Sequence, residues 1–133
     1  GALIRTAECV GAHGVITRKR GAVGLTEAVE KASAGALEHI LVAKVSNISM
    51  AIEKLKKNGL WIYAAEMNGK MWTEENLCGP IALVVGSEGK GISENVKKNC
   101  DFFLSIPLKG KIGSLNASVA GGILMYEVLR QRL

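Results

Sequence analysis

The sequence predicts an α/β fold, a mostly parallel sheet flanked by helices. Three observations carry this. Short apolar runs of strand length alternate with segments whose apolar residues recur at helical spacing. One run, residues 80–86 (PIALVVG), is apolar throughout and bounded by breakers, the pattern of a strand buried on both faces of a parallel sheet. Two runs lead straight into glycine-bearing loops, and in open α/β sheets ligands bind beyond the carboxyl ends of the strands.

The elements follow in order. Residues 2–10 carry Leu3, Ile4, Ala7 and Val10 on one helical stripe, and Gly11 ends it. Residues 14–17 (GVIT) read as a short buried strand. A basic turn, Arg18-Lys19-Arg20-Gly21, precedes a helix from about Thr26 that runs into Ser33-Ala34-Gly35-Ala36. Residues 39–45 (HILVAKV) form the next strand. Asn47 caps a helix over 48–58 with Ile48, Ile52 and Leu55 on one face, and Asn58-Gly59 stops it. Strands follow at 60–65 (LWIYAA) and 80–86, with a helix starting near Ser93. The strand at 102–106 (FFLSI) ends at Pro107, and a long helix covers 115–130. No internal repeat, low-complexity tract or linker interrupts the chain.

The composition narrows the class. The chain has 133 residues, 48% hydrophobic and 22% charged, which suits one compact domain with a real core and excludes disorder. No apolar stretch is long enough to span a membrane, and no secretory signal opens the chain. The chain begins inside a helix, so further sequence, including a first strand, is expected upstream. The net charge of +5 suits a phosphate-rich partner. Aromatic residues make up only 5%, which argues against a platform that stacks single-stranded bases. Phe102, Phe103, Trp61 and Tyr63 lie on predicted buried strands, leaving Trp72 as the aromatic free to stack. Cys9, Cys78 and Cys100 are an odd set of thiols, suiting a reducing cytoplasm. His13 and His39 have no metal-ligand spacing, and no metal is expected.

The chemistry gathers in two loops. The first is Gly86-Ser87-Glu88-Gly89-Lys90-Gly91-Ile92-Ser93. It is not a P-loop, because Gly91 rather than a hydroxyl residue follows Lys90. Its glycine order is the wrong one for a dinucleotide fingerprint. Glu88 would repel a phosphate and fits better beside a cation. A tight turn whose glycines only supply unusual dihedrals is the plainer reading. The second loop runs from Ile106-Pro107-Leu108 through Lys109-Gly110-Lys111 to Ser114-Leu115-Asn116-Ala117-Ser118. Ser114 or Asn116 can cap the last helix. The presence of both, with Ser118 and two lysines nearby, suggests polar groups gathered for a phosphate-bearing ligand or substrate.

At these residues the sequence resembles the SpoU (TrmH) family of RNA ribose 2′-O-methyltransferases, within the SPOUT superfamily. Gly86, Glu88, Gly89, Gly91 and Ile92 match one family motif. Ile106, Pro107, Leu108, Gly110, Ser114, Leu115, Asn116 and Ser118 match another, and Gly1 and Arg5 match the end of a third, whose asparagine would precede Gly1. The likeness spans essentially the whole chain and is greatest to the bacterial 23S rRNA guanosine 2′-O-methyltransferases. It implies a SPOUT fold with a C-terminal deep trefoil knot and a homodimer. It implies S-adenosylmethionine as methyl donor, held largely through backbone groups at Gly86, Ile106 and Leu115. It also implies a catalytic set of Arg5, Glu88, Ser114 and Asn116. Two roles stay open for Arg5. One is a base acting with help from a substrate phosphate; the other is an anchor that binds this phosphate and orients the ribose. The alternatives in function are a tRNA ribose methyltransferase and a non-catalytic RNA-binding or assembly protein with a relict pocket.

Overall fold

The computed structural model describes residues 1–18, 40–87 and 90–133. The helix expected from Thr26, the Ser33-Ala34-Gly35-Ala36 segment, His39, Glu88 and Gly89 lie outside the described residues. The chain forms two compact units, Gly1–Ile48 and Ser49–Leu133.

In the first unit, α1 (Ala2–Cys9) buries Ile4 and Ala7 and leaves Arg5 on its exposed side. Gly11 closes it at φ 77°, with Gly11 N–H donating to Glu8 O and Ala12 N–H to Ala7 O. These two bonds form a Schellman motif, which only a glycine completes without strain. β1 (Gly14–Arg18) and β2 (Leu41–Val45) pair in parallel from Gly14↔Leu41 to Arg18↔Val45.

The second unit is a three-stranded parallel sheet of order β4-β3-β5, with β3 at Trp61–Met71, β4 at Ile81–Val84 and β5 at Phe102–Ser105. It is preceded by α2 (Ile48–Lys57), which buries Ile52 and ends in a second Schellman motif at Gly59, φ 91°. α3 (Glu94–Lys97) is a single turn capped by Ser93. α4 (Ala117–Arg132) closes the chain and buries Gly121, Leu124 and Glu127. The core joins Tyr63, Leu77, Leu104 and Leu124, with Trp72, Ile81, Ile106 and Val128 packed against it.

The structure corrects several expectations. The strand buried on both faces is β3, through Ile62, Tyr63 and Ala64, whereas all of β4 is only half-buried. β3 sits between two partners; β4 has one within this sheet. β3 also runs six residues beyond the expected end, because after a register break between Ala65 and Lys70 it pairs again with Leu104 and Ser105. The aromatic expectation is reversed. Trp61 is 54% exposed and Phe102 37%, while Trp72 packs half-buried on the core. Trp61 and Phe102 are the first residues of their strands, where fewer neighbours cover them, whereas Trp72 follows β3 and its N–H bonds Ser105 O.

α4 is tied to the segment between β3 and β4 by a polar network. Glu127 accepts from Arg130 through Nε and Nη2 at 2.7 and 2.8 Å and from Gln131 Nε2 at 2.8 Å. Gln131 also donates to Glu75 O and accepts from Leu77 N–H, and Arg132 donates to Leu77 O. The Arg130 guanidinium, helped by Gln131, outweighs burial and lowers the Glu127 pKa to about 2. The carboxylate therefore stabilises the fold above the ordinary glutamate range, and that contribution is lost as pH falls toward 2. Glu127→Ala is expected to destabilise the protein by about 1–3 kcal/mol at neutral pH, because the buried carboxylate's charge-assisted hydrogen bonds to Arg130 and Gln131 are lost. Urea titrations should show the gap between variant and wild type closing between pH 4.5 and 2.

Candidate functional site

β3 pairs in parallel with both neighbours, so the segments leaving β4 and β5 emerge beside the second half of β3. Ala64 lies opposite Val84, and Met71 opposite Ser105. The two loops singled out in the sequence thus share one end of one sheet.

In the loop after β4, Gly91 N–H donates to Ser87 O at 2.9 Å and the two residues form an antiparallel bridge. Gly91 has φ 66°, so its glycine is conformational. Gly86 is needed for a different reason. A Cβ there would lie 2.6 Å from Gly91 Cα and 2.7 Å from Ile92 N, so the loop folds back onto Gly86 as closely as backbone allows. The turn is therefore more than a source of unusual dihedrals.

In the loop after β5, the Ile106 side chain packs on the core. Lys109, Lys111, Ser114, Leu115 and Asn116 are exposed. Asn116 is the N-cap of α4: its Oδ1 accepts from Ser118 N–H at 2.8 Å and Val119 N–H at 3.4 Å. Its oxygen is thus committed to the helix, and its amide NH₂ makes no hydrogen bond among the described residues. The structure brings Gly86, Ile106, Ser114, Leu115 and Asn116 to this end of the second unit. Arg5 stands exposed on α1 of the first unit.

The irregular stretch of β3 was not anticipated. Ser105 Oγ donates to Met67 O at 3.0 Å, and Trp72 N–H to Ser105 O at 3.0 Å. A Cβ on Gly69 would lie 2.5 Å from the Phe103 carbonyl, so glycine is needed where the bulged strand touches β5. Asn68-Gly69, turn residues within a strand pattern, were the available signal. A cleft of about 450 Å³ runs along the bulge past Asn68, Lys70 and Phe102. Its charges are paired, Lys97 with Glu66 at 3.0 Å and Lys70 with Glu75 at 3.4 Å. The Glu66 hydrogen bond raises the Lys97 pKa, which keeps it a cation rather than a base. Burial pushes the Cys100 thiol up, so it is no ready nucleophile. No group of three metal-ligating side chains occurs among the described residues. No helix of the described residues is long and apolar enough to cross a membrane.

Comparison with known proteins shows what the chain is similar to. The model of the SpoU rRNA Methylase family matches residues 1–126. YacO of Bacillus subtilis, named for the TrmH family of tRNA/rRNA methyltransferases, is 51% identical over 99% of this chain and 53% of its own length. The chain thus spans about half the length of this relative. The SpoU methyltransferase AviRb from Streptomyces viridochromogenes, solved in complex with AdoMet, superposes with a TM-score of 0.89 at 27% identity. That match covers 98% of this chain and 52% of AviRb. A structure described as an RNA 2′-O ribose methyltransferase gives a TM-score of 0.86 at 30% identity, covering 98% of this chain and 50% of the other.

The cap geometry has a measurable consequence. Asn116→Ala is expected to cost about 1 kcal/mol of stability, and Asn116→Ser about 0.5 kcal/mol or less, by urea denaturation.

Proposed function

The chain belongs to the SpoU rRNA methylase family, and from that membership we propose that it is the catalytic domain of an S-adenosylmethionine-dependent RNA methyltransferase. Its acceptor is a ribose 2′-hydroxyl, with a guanosine of 23S rRNA as first target and tRNA as second. The observation that carries the reading is the meeting of two loops at one end of a parallel sheet, with Gly86 closed tightly against Gly91.

The groups present suit the cofactor. The loop offers backbone rather than side chains at Gly86, and a Cβ there would occupy space taken by the loop itself. Ile106 is anchored by its side chain and Leu115 is 37% exposed, so one offers backbone and the other an apolar surface. S-adenosylmethionine carries no phosphate, so a carboxylate at Glu88 is compatible with it. When bound, it supplies a methyl group on a positively charged sulfur. Ser114 and the free amide of Asn116 hold the acceptor ribose, and the cap fixes the Asn116 side chain so that its NH₂ points away from the helix it caps. A 2′-hydroxyl is a weak nucleophile, so alignment and a nearby proton acceptor must supply the rate. A guanidinium is a poor base at neutral pH, and Arg5 therefore serves as anchor for a substrate phosphate. Lys109 and Lys111 draw in the neighbouring backbone.

A homodimer and a knotted C-terminal path complete the proposal. α4 supports the first: Val119 and Tyr126, one stripe at i and i+7, are each about half exposed. The cytoplasm is the compartment that suits RNA modification and three free thiols.

Methyl transfer from labelled S-adenosylmethionine to RNA, followed by alkaline digestion, tests the acceptor. Label is expected in alkali-resistant dinucleotides, and label confined to mononucleotides would place the methyl on a base. Arg5→Ala is expected to reduce turnover at least about 1,000-fold, the scale of losing transition-state electrostatics, while cofactor affinity stays within a few fold. Gly86→Ala is expected to do the reverse first, weakening cofactor binding about tenfold or more in titration calorimetry as the loop is pushed open.

A further inference from the structure

A short pattern recurs at the opposite end of the same sheet. Residues 53–61 read Glu-Lys-Leu-Lys-Lys-Asn-Gly-Leu-Trp, and residues 94–102 read Glu-Asn-Val-Lys-Lys-Asn-Cys-Asp-Phe. Both place a glutamate, an aliphatic residue, a lysine pair and an asparagine at the same offsets before an aromatic residue. The structure makes the two equivalent. Each segment is the end of a helix leading into a strand. Asn58 Nδ2 donates to Lys54 O at 2.8 Å, and Asn99 Nδ2 to Asn95 O at 3.1 Å. Gly59 N–H bonds Lys56 O, and Cys100 N–H bonds Lys97 O. Lys56 joins the two ends by donating to Asn99 O at 3.1 Å and pairing with Asp101 at 3.3 Å.

The two aromatic residues so delivered touch. Trp61 and Phe102 have ring centroids 5.9 Å apart, and Phe102 stacks on Tyr63 beneath at 4.9 Å. Trp61 and Phe102 are the exposed pair, and Tyr63 is buried. Lysines outnumber acids five to three in the two segments. Lys56 and Lys97 are paired, while Lys54, Lys57 and Lys98 form no ion pair among the described residues. An exposed aromatic pair delivered by two segments that carry uncompensated cations supplies what single-stranded nucleic acid requires: π-faces for bases and ammonium groups for phosphates.

We propose that Trp61 and Phe102, with Lys54, Lys57 and Lys98, form a second RNA contact that stacks an unpaired base of the substrate, remote from the loops at Gly86 and Ser114. This rests on the RNA methyltransferase reading and adds to it where RNA is held. Trp61 lies three residues before the end of the β3–β4 pairing, so the aromatic pair is on the order of 10 Å or more from the loops along the strand direction. It therefore grips RNA flanking the target rather than the target itself. A second copy of this chain is a poorer occupant, because its own lysines would face these.

The test uses the full-length protein. Trp61→Leu keeps an apolar side chain and removes the stacking face. It is expected to raise KM for RNA about 10- to 100-fold, with kcat and cofactor affinity unchanged, and Trp61→Phe should restore most of the loss. Lys57→Gln/Lys98→Gln, which leaves the packing alone, is expected to reduce the salt slope of RNA binding by about 1.4. If wild-type protein methylates RNA and neither variant changes KM or the salt slope, the aromatic pair is not an RNA contact and the methyltransferase reading stands. Wild-type protein that transfers no methyl to any RNA would instead remove the underlying reading. A rise in KM that tracks only loss of oligomer in light scattering assigns the aromatic pair to a protein partner and overturns the proposal.

Discussion

The parallel pairing of β3 with a strand on each side is the constraint on which the rest of the second unit depends. All three strands run the same way, so the loops after β4 and β5 leave from one end. Parallel strands need long crossovers, and the chain uses them. The segment from β3 to β4 is laced to α4, and that from β4 to β5 carries the Gly86 turn and α3. A residue that holds the sheet in register therefore also places the site. Gly69 shows this: it lets the bulged strand lie against Phe103 and brings β3 back into pairing at Lys70.

Around that frame the protein fixes backbone before side chains. The loop after β4 is shaped by a close approach at Gly86 and a left-handed residue at Gly91. The loop after β5 is held by Ile106 in the core at one end and by the Asn116 cap at the other. Between these anchors the exposed side chains, Lys109, Lys111 and Ser114, carry little of the fold's stability and are free to serve a ligand. The buried Glu127, held as a carboxylate by Arg130 and Gln131, plays the corresponding part on α4.

Much of this was legible in the residues, and the exceptions have physical causes. Breakers and helical stripes set α1, α2 and the starts of the strands to within a residue or two, because Gly11 and Gly59 end helices by backbone chemistry that local sequence records. The loops were legible from their glycines and capping residues. Asn116 was expected as a site residue and is also a cap, one side chain having both an acceptor and a donor end. Burial was less legible. An apolar run reports hydrophobicity, not position in the sheet, so β4 was taken for a strand buried on both faces when it is only half-buried. Periodicity likewise could not show that Trp61, at the start of its strand, stays exposed. The bulge in β3 escaped because Glu66, Asn68 and Gly69 break alternation, although they pair again through contacts distant in sequence.

The ties between α4 and the segment around Glu75–Leu77 join residues more than fifty positions apart, and β3 meets β5 across about forty. Closing such long loops costs entropy before any contact rewards it, so assembly of this unit is slow relative to the formation of its helices. α2 and its glycine stop are local and form early. The β5 pairing and the docking of α4, which shape the second loop, come afterwards. By this reasoning the carboxyl end of the sheet is among the last parts of this unit to be built, and its geometry inherits the kinetics of the unit.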